Sequence, residues 1–130
     1  MSKYLVLLLF VHALLAGAED APKYVFNQTK KGLLPEQEWN RELNVKNPSK
    51  IGVIIESENS VVLTLVKDSA IQKMQAGQAV GKDDLVLTED IAKPPYKREI
   101  ALASGKYWFV IMNNGSKPAD ITMKWYKPSP

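Results

Sequence analysis

Cysteine is absent from the 130-residue sequence, and histidine occurs only once, at His12. The absence of cysteine excludes disulfide bonds, thiol nucleophiles and thiolate-ligated metal sites. Because His12 lies in a segment that we expect to be removed, imidazole catalysis is also excluded from the mature protein. The chemistry that remains depends on carboxylates, lysines and oxygen ligands.

The N-terminal residues 1–18 have the pattern of a secretory signal peptide. Lys3 provides a positive charge, Tyr4 to Leu15 form an apolar run, and Ala16-Gly17-Ala18 supply the small residues of a cleavage site. The run is shorter than the roughly 20 apolar residues that span a bilayer. The sequence therefore predicts cleavage after Ala18, a secreted or periplasmic location, and no stable membrane insertion of the mature chain. A buried N-terminal helix or an uncleaved anchor is the alternative.

Charges of the two signs are nearly balanced, with a formal net charge of +3 at pH 7. Lysines alternate with acidic residues, and no basic cluster with interleaved aromatic residues occurs. The sequence therefore predicts no nucleic-acid partner. Hydrophobic residues make up 45% of the chain, which is enough for the core of one domain and too many for a disordered chain.

Alternating apolar and polar residues predict a β-sandwich domain over residues 36–130. The first strand places four side chains at period two, which is typical of a half-buried strand: Trp39, Arg41, Leu43 and Val45. Residues 61–66 are apolar on both faces apart from Thr64, so we expect that strand to be covered on both sides. About seven or eight short strands, with at most one short helix, predict an all-β, jelly-roll-like antiparallel β-sandwich.

Two segments outside the regular strands carry their own predictions. In the N-terminal segment, residues 19–35, Tyr24 to Phe26 would add an edge strand that Lys30-Lys31-Gly32 breaks. Farther along, Asp68 or Ser69 would cap a short helix, and Gly77 would end it.

From Ser60 to Tyr126 the chain resembles small extracytoplasmic jelly-roll modules, namely the Golgi-dynamics (GOLD) domain and the bacterial pre-peptidase C-terminal domain. The resemblance rests on these segments: Val61 to Leu65, Asp68 to Gly77, Ala103 to Ile111 with its Gly105-Lys106-Tyr107-Trp108, and Asn113. Gly81 to Leu87 is also similar to the Gly-Asp-x-Asp-Leu element of the bacterial domain, with Lys82 where an acid is usual. The resemblance implies an accessory or recognition module without catalysis, and calcium binding in some members.

One dense acidic patch is present, formed by Asp83, Asp84, Glu89 and Asp90. Hard carboxylate oxygens are calcium ligands, so these four residues are the candidate metal site and calcium is the candidate cofactor. Two carboxylates across a cleft would instead serve a small hydrolase as acid and base. Ordinary surface charge, neutralised by nearby lysines, is the plain alternative.

Aromatic residues are the candidate ligand-binding groups, namely Trp39, Trp108, Trp125 and Tyr126. Exposed rings would suit a sugar or a protein partner. On the strand from Lys106 to Met112, period two places Trp108 on the face opposite Tyr107 and Phe109, so one of these sets is expected to line the core. The alternative is that nearly all of the aromatic residues are core residues.

Two further motifs have a functional and a plain interpretation. Ser69 and Lys73 stand four residues apart, as a Ser–Lys nucleophile pair would on a helix, or as a capping serine beside a solvated lysine. Asn27 and Asn114 each begin an N-glycosylation tripeptide, and Asn114-Gly115 is also typical of a turn.

The sequence thus predicts an exported, non-catalytic β-sandwich module that binds a protein or carbohydrate partner. A structural subunit of a surface assembly, pairing through an uncovered sheet edge, is one alternative. A small carboxylate-dependent hydrolase is the other.

Overall fold

The computed structural model describes residues 24–128, which form two four-stranded antiparallel sheets and one α-helix. The elements in chain order are β1 (Tyr24–Leu33), β2 (Glu38–Val45), β3 (Ser49–Ser57), β4 (Val61–Lys67), α1 (Asp68–Gln75), a 3-10 turn (Lys82–Asp84), β5 (Leu85–Ile91), β6 (Tyr96–Leu102), β7 (Gly105–Asn113) and β8 (Ala119–Tyr126). The predicted signal peptide and His12 lie outside the described residues. Within residues 24–128, no helix is long and apolar enough to cross a bilayer.

The order of the strands is that of a jelly roll. One sheet runs β1-β8-β3-β6 and the other runs β2-β7-β4-β5, so most successive strands alternate between the sheets. The prediction of an antiparallel β-sandwich with seven or eight strands and one short helix is confirmed.

The hydrophobic core lies between the two sheets and follows the period-two pattern of the strands. In β7, Tyr107, Phe109 and Ile111 point into the core, whereas Trp108 lies on the outer face. The opposite sheet contributes Trp125, whose ring centroid is 5.2 Å from that of Phe109. Each buried side chain of this size contributes about 1.5–3 kcal/mol to folding.

Polar pairs join the sheets at both open sides of the sandwich. On one side, Arg41 of β2 donates from Nε to Oε1 of Gln28 in β1, at 3.0 Å. On the other side, Arg98 of β6 forms an ion pair with Glu89 of β5. These pairs connect edge strands that the hydrogen-bond ladders of the sheets do not connect.

A buried asparagine ties together three loops at one end of the sandwich. The Asn113 side chain is fully buried; its Nδ2 donates to the carbonyl oxygens of Leu33 (2.8 Å) and Lys117 (2.9 Å). Its Oδ1 accepts hydrogen bonds from Nδ2 of Asn59 (3.2 Å) and from the backbone N–H of Gly115 (2.9 Å). All the hydrogen-bonding capacity of the amide is therefore used.

Strand β1 is longer than the sequence predicts, because Lys30-Lys31-Gly32 does not break it. The strand continues to Leu33 and is paired with β8, with a register shift between Lys30 and Leu33. Gly32 has a φ of 62°, which a glycine adopts at little cost, and its N–H donates to Oδ1 of Asp120 at 2.9 Å. A bulge thus absorbs the residues that we expected to end the strand.

The two ends of helix α1 are capped in different ways. The predicted serine or aspartate cap is wrong: Lys67 is the N-cap and makes no side-chain capping bond, and Asp68 lies in the first turn, where its charge suits the helix dipole. The predicted end at Gly77 is confirmed. Gly77 has a φ of 74°, its N–H donates to the Met74 carbonyl, and the N–H of Gln78 donates to the Lys73 carbonyl. These two bonds form a Schellman motif.

Candidate functional site

Helix α1 covers part of the outer face of the β2-β7-β4-β5 sheet. Its buried residues Ala70 and Ile71 pack against Val66 of β4 and against Val110 and Trp108 of β7. This second apolar cluster explains why β4 has apolar side chains on both faces, because one face lines the core and helix α1 covers part of the other.

The Trp108 ring is half-buried beside the helix, and its polar edge is occupied. Its Nε1 donates to Oδ1 of Asp68 at 2.7 Å. Lys106 lies with Nζ 5.8 Å from the ring centroid, and it forms an ion pair with Glu42 at 3.3 Å. The ring therefore packs against the helix cluster and has a cation close to it, and these contacts occupy part of the surface that a ligand would need.

Asp84 fastens helix α1 to the 3-10 turn. Ser69 donates from Oγ to Oδ1 of Asp84 at 2.8 Å, and Lys73 donates from Nζ to Oδ2 at 2.6 Å. These hydrogen bonds, first from Lys73 and then from Ser69, hold the pKa of the Asp84 carboxyl below its ordinary value. Because Ser69 and Lys73 both donate to Asp84, the lysine is not placed as a base for the serine hydroxyl.

A pocket opens beside the helix, and we call it the helix pocket. It has a volume of about 290 Å³ and is lined by Thr64, Val66, Met74, Val80, Gly81, Lys82 and Leu85. Strands β4 and β5 contribute Thr64, Val66 and Leu85 to the lining, while α1, the following loop and the 3-10 turn contribute the rest. Most of its lining is apolar, and Lys82 is the only charged lining residue.

Exposed apolar side chains are concentrated at the helix pocket. Met74, Val80 and Leu85 are 36%, 37% and 41% exposed. The part of the chain that the structure describes has five exposed large hydrophobic side chains, and the other two are Val25 and Leu34. Three of the five therefore line one pocket.

The four aromatic residues predicted to bind a ligand do not share a surface. Trp39 and Trp125 lie in the core between the sheets and are each 5% exposed. Tyr126 is 3% exposed and lies over Gly52, where an added Cβ would be 2.2 Å from the ring. Only Trp108 is half-buried, on the outer face of the other sheet. The isolated glycine within β3 is the sequence signal for the close approach of Tyr126.

The four predicted calcium ligands are also not gathered into one site. Asp83 and Asp84 lie in the 3-10 turn, and Glu89 and Asp90 lie in β5. Asp84 is engaged by Ser69 and Lys73, and Glu89 by Arg98. Among residues 24–128, no group of three or more potential ligands from His, Cys, Asp and Glu is placed to hold a metal ion. Calcium binding stays a prediction.

The sequence patterns do not predict that the residues lining the helix pocket form one site. Met74 lies on the predicted helix, but the sequence assigns Val80 and Leu85 no role in a site. A lone valine in a polar loop and a leucine next to the 3-10 turn are weak signals, because only the pairing of β5 with β4 and the packing of α1 on the sheet bring them beside Thr64 and Val66.

Comparisons with known proteins show the fold. No family model matches the chain, and no curated protein matches it. The structure is similar to the pre-peptidase C-terminal domain of collagenase from Bacillus anthracis, with a TM-score of 0.59 and 9% identity over 77% of this chain and 87% of that chain.

Two other solved structures are similar at lower TM-scores. PliG, a periplasmic inhibitor of g-type lysozyme from Aeromonas hydrophila, has a TM-score of 0.49 and 18% identity, over 81% of this chain and 88% of that chain. A carbohydrate-binding module of lichenase 5A from Cellvibrio mixtus has a TM-score of 0.45 and 13% identity, over 86% and 95%. The likeness to the pre-peptidase C-terminal domain, at a TM-score of 0.59, shows that the chain has the fold of a small jelly-roll-like module, as the sequence resemblance implied.

Proposed function

We propose that this domain is an exported, non-catalytic binding module and that its helix pocket receives a protein partner. The observation that carries the proposal is the concentration of Met74, Val80 and Leu85, three of the five exposed large hydrophobic residues described, in one concave site. Contiguous exposed apolar surface marks interaction sites. A mostly apolar pocket with few polar groups is also the usual form of a binding site.

A protein partner is favoured over a glycan because of where the aromatic rings lie. Sugars bind aromatic side chains by stacking the apolar C–H face of the sugar ring on the open face of the aromatic ring. Trp39, Trp125 and Tyr126 are buried, and Trp108 is contacted by Lys106 and Asp68. The helix pocket itself is lined mostly by aliphatic residues and methionine, which suit an apolar side chain of a protein.

The polar groups beside the pocket support a role without catalysis. A general acid or base works best when its pKa lies near the operating pH. Asp84 has a pKa below its ordinary value and is engaged by both Ser69 and Lys73. The three groups form a structural link between α1 and the 3-10 turn, which supports a scaffolding role for them.

The proposal is tested by retention of a partner on immobilised protein. Leu85→Asp places a charge in the pocket wall, and Leu34→Asp makes the same change at a leucine that is 52% exposed elsewhere. We expect the wild type and Leu34→Asp to retain the same protein from the extracytoplasmic fraction, and Leu85→Asp to retain at most about a tenth as much. Equal retention by the two variants, or no retained protein, contradicts the proposal. Retention of a glycan instead favours the carbohydrate partner.

A further inference from the structure

The volume of the helix pocket limits what can enter it. At about 290 Å³ it lies just below the range for ligand sites, which is about 300–1,000 Å³. A pocket of this size holds one large side chain, whereas an extended segment of a partner would have to lie outside it. The helix pocket therefore suits a single anchoring residue.

The apolar wall of the pocket suits an aromatic anchor. Met74 contributes an unbranched and polarizable thioether, which makes favourable contacts with aromatic rings and adapts its shape to them. Val66, which is 1% exposed, and Leu85 add rigid aliphatic surface on other sides. Large aromatic anchors in pockets of this kind are common at the centre of protein interfaces.

Lys82 gives the pocket a positive charge that no ion pair among residues 24–128 neutralises. It is the only charged residue in the lining, and it forms no ion pair within residues 24–128. The half-buried carboxylate nearby, that of Asp84, is engaged by Ser69 and Lys73. Asp83 follows Lys82 in the chain and is exposed, but it does not line the pocket. A partner carboxylate next to the anchor would complement Lys82.

We infer that the helix pocket recognises an aromatic side chain flanked by acidic residues in a protein partner. This inference rests on the proposed function and adds the chemistry of the recognised segment. The ring fills the space between Met74 and Leu85, and an adjacent carboxylate pairs with Lys82. A basic segment is disfavoured because its charge meets that of the lysine.

Short capped peptides test the inference. The probes are acetyl-Asp-Phe-Asp-amide, acetyl-Asn-Phe-Asn-amide, acetyl-Lys-Phe-Lys-amide and acetyl-Asp-Gly-Asp-amide, titrated into isotope-labelled protein and followed by NMR at low salt. We expect the acidic Phe peptide to shift the amide signals of Met74, Val80 and Leu85. Its affinity should be about threefold higher than that of the Asn peptide, since one partly exposed ion pair differs. The Lys peptide should bind more weakly still, and the Gly peptide should not bind.

Lys82→Gln should remove the preference for the acidic peptide over the Asn peptide. Lys93→Gln, at an exposed lysine in the loop between β5 and β6, is the matched control and should leave that preference intact. Equal affinities of the acidic and Asn peptides for the wild type overturn the inference, as does equal binding of the Gly peptide.

The failure of the inference and that of the proposed function give different results. If no peptide shifts the pocket amides while Leu85→Asp still loses the retained partner, only the inference fails. If Leu85→Asp also retains the partner as well as Leu34→Asp does, the proposed function fails with it.

Discussion

Asn113→Asp changes one atom of a buried side chain and should strongly destabilise the protein. In the wild type, Nδ2 of Asn113 donates to the carbonyl oxygens of Leu33 and Lys117 at 2.8 and 2.9 Å. Aspartate places an oxygen without a proton at the same point, so two hydrogen bonds are replaced by contacts between acceptors. The Asn113 side chain is fully buried, and water cannot compensate.

The magnitude follows from the number of polar groups left without partners. Each buried group that loses its partner costs about 1–3 kcal/mol. The Leu33 carbonyl loses this donor, whereas the Lys117 carbonyl still accepts from Nδ2 of Asn59 at 2.6 Å. With that lost partner and a buried carboxylate facing two carbonyl oxygens, the free energy of unfolding should fall by at least about 3 kcal/mol. For a domain of this size, that corresponds to a melting temperature lowered by about 12 °C or more.

The assay is thermal and urea unfolding followed by circular dichroism, with Asn114→Asp as the matched control. Asn114 is the next residue and its side chain is exposed, so the same change there should alter stability by less than about 0.5 kcal/mol. Burial should raise the pKa of the new carboxyl at position 113, so the deficit of Asn113→Asp should shrink as the pH falls from 7 towards 4. A deficit below about 1 kcal/mol at pH 7 would refute the structural role of Asn113.

Three further predictions concern other parts of the molecule. Gly52→Ala should lower the free energy of unfolding in urea by about 1–3 kcal/mol, because the added Cβ would lie 2.2 Å from the Tyr126 ring. Gly81→Ala is the control and should change stability little, because its added Cβ would lie 3.9 Å from the nearest atom. Asp84→Asn should lower the free energy of unfolding at neutral pH, because the pKa of the Asp84 carboxyl is lower in the folded than in the unfolded protein. The stabilisation from this carboxylate is present above the ordinary pKa of 3.8 and is lost as the pH falls through the folded pKa. The stabilities of the wild type and the variant should therefore converge in acid. N-terminal sequencing of the exported protein should find Glu19 first, and a chain that begins at Met1 would contradict the predicted cleavage.

Period-two patterns predicted the parts of the fold that depend on local alternation. The strand that contains Phe109 places alternate residues in the core, and the strand that begins near Trp39 does the same. The end of helix α1 was also predictable, because Gly77 is a residue that readily adopts the positive φ of a Schellman motif.

Features that depend on contacts between distant strands were not predictable in this way. Tyr126 is buried because the strand register places it opposite Gly52, and a single sequence does not contain that register. The continuation of β1 through Lys30 to Gly32 depends on a bulge and on the Asp120 carboxylate of a strand about ninety residues away. Local propensity was overruled in both cases by tertiary contacts.

The helix pocket shows the same limit for function. Of the four aromatic residues predicted to bind a ligand, all but Trp108 are buried, whereas the pocket is lined mostly by aliphatic residues and Met74 from two strands, a helix, a loop and the 3-10 turn. Its position depends on the link from Asp84 to Ser69 and Lys73, which holds α1 against the 3-10 turn. The sequence presented Ser69 and Lys73 as a possible catalytic pair, and the third member of the group was not foreseen.

The dissociation constant of the retained partner protein for Leu85→Asp, measured beside that for Leu34→Asp, tests the central claim most directly. If the helix pocket is the binding site, Leu85→Asp should weaken the complex at least about tenfold, and Leu34→Asp should stay within about twofold of the wild type. Equal dissociation constants for the two folded variants would show that the partner binds elsewhere on the domain.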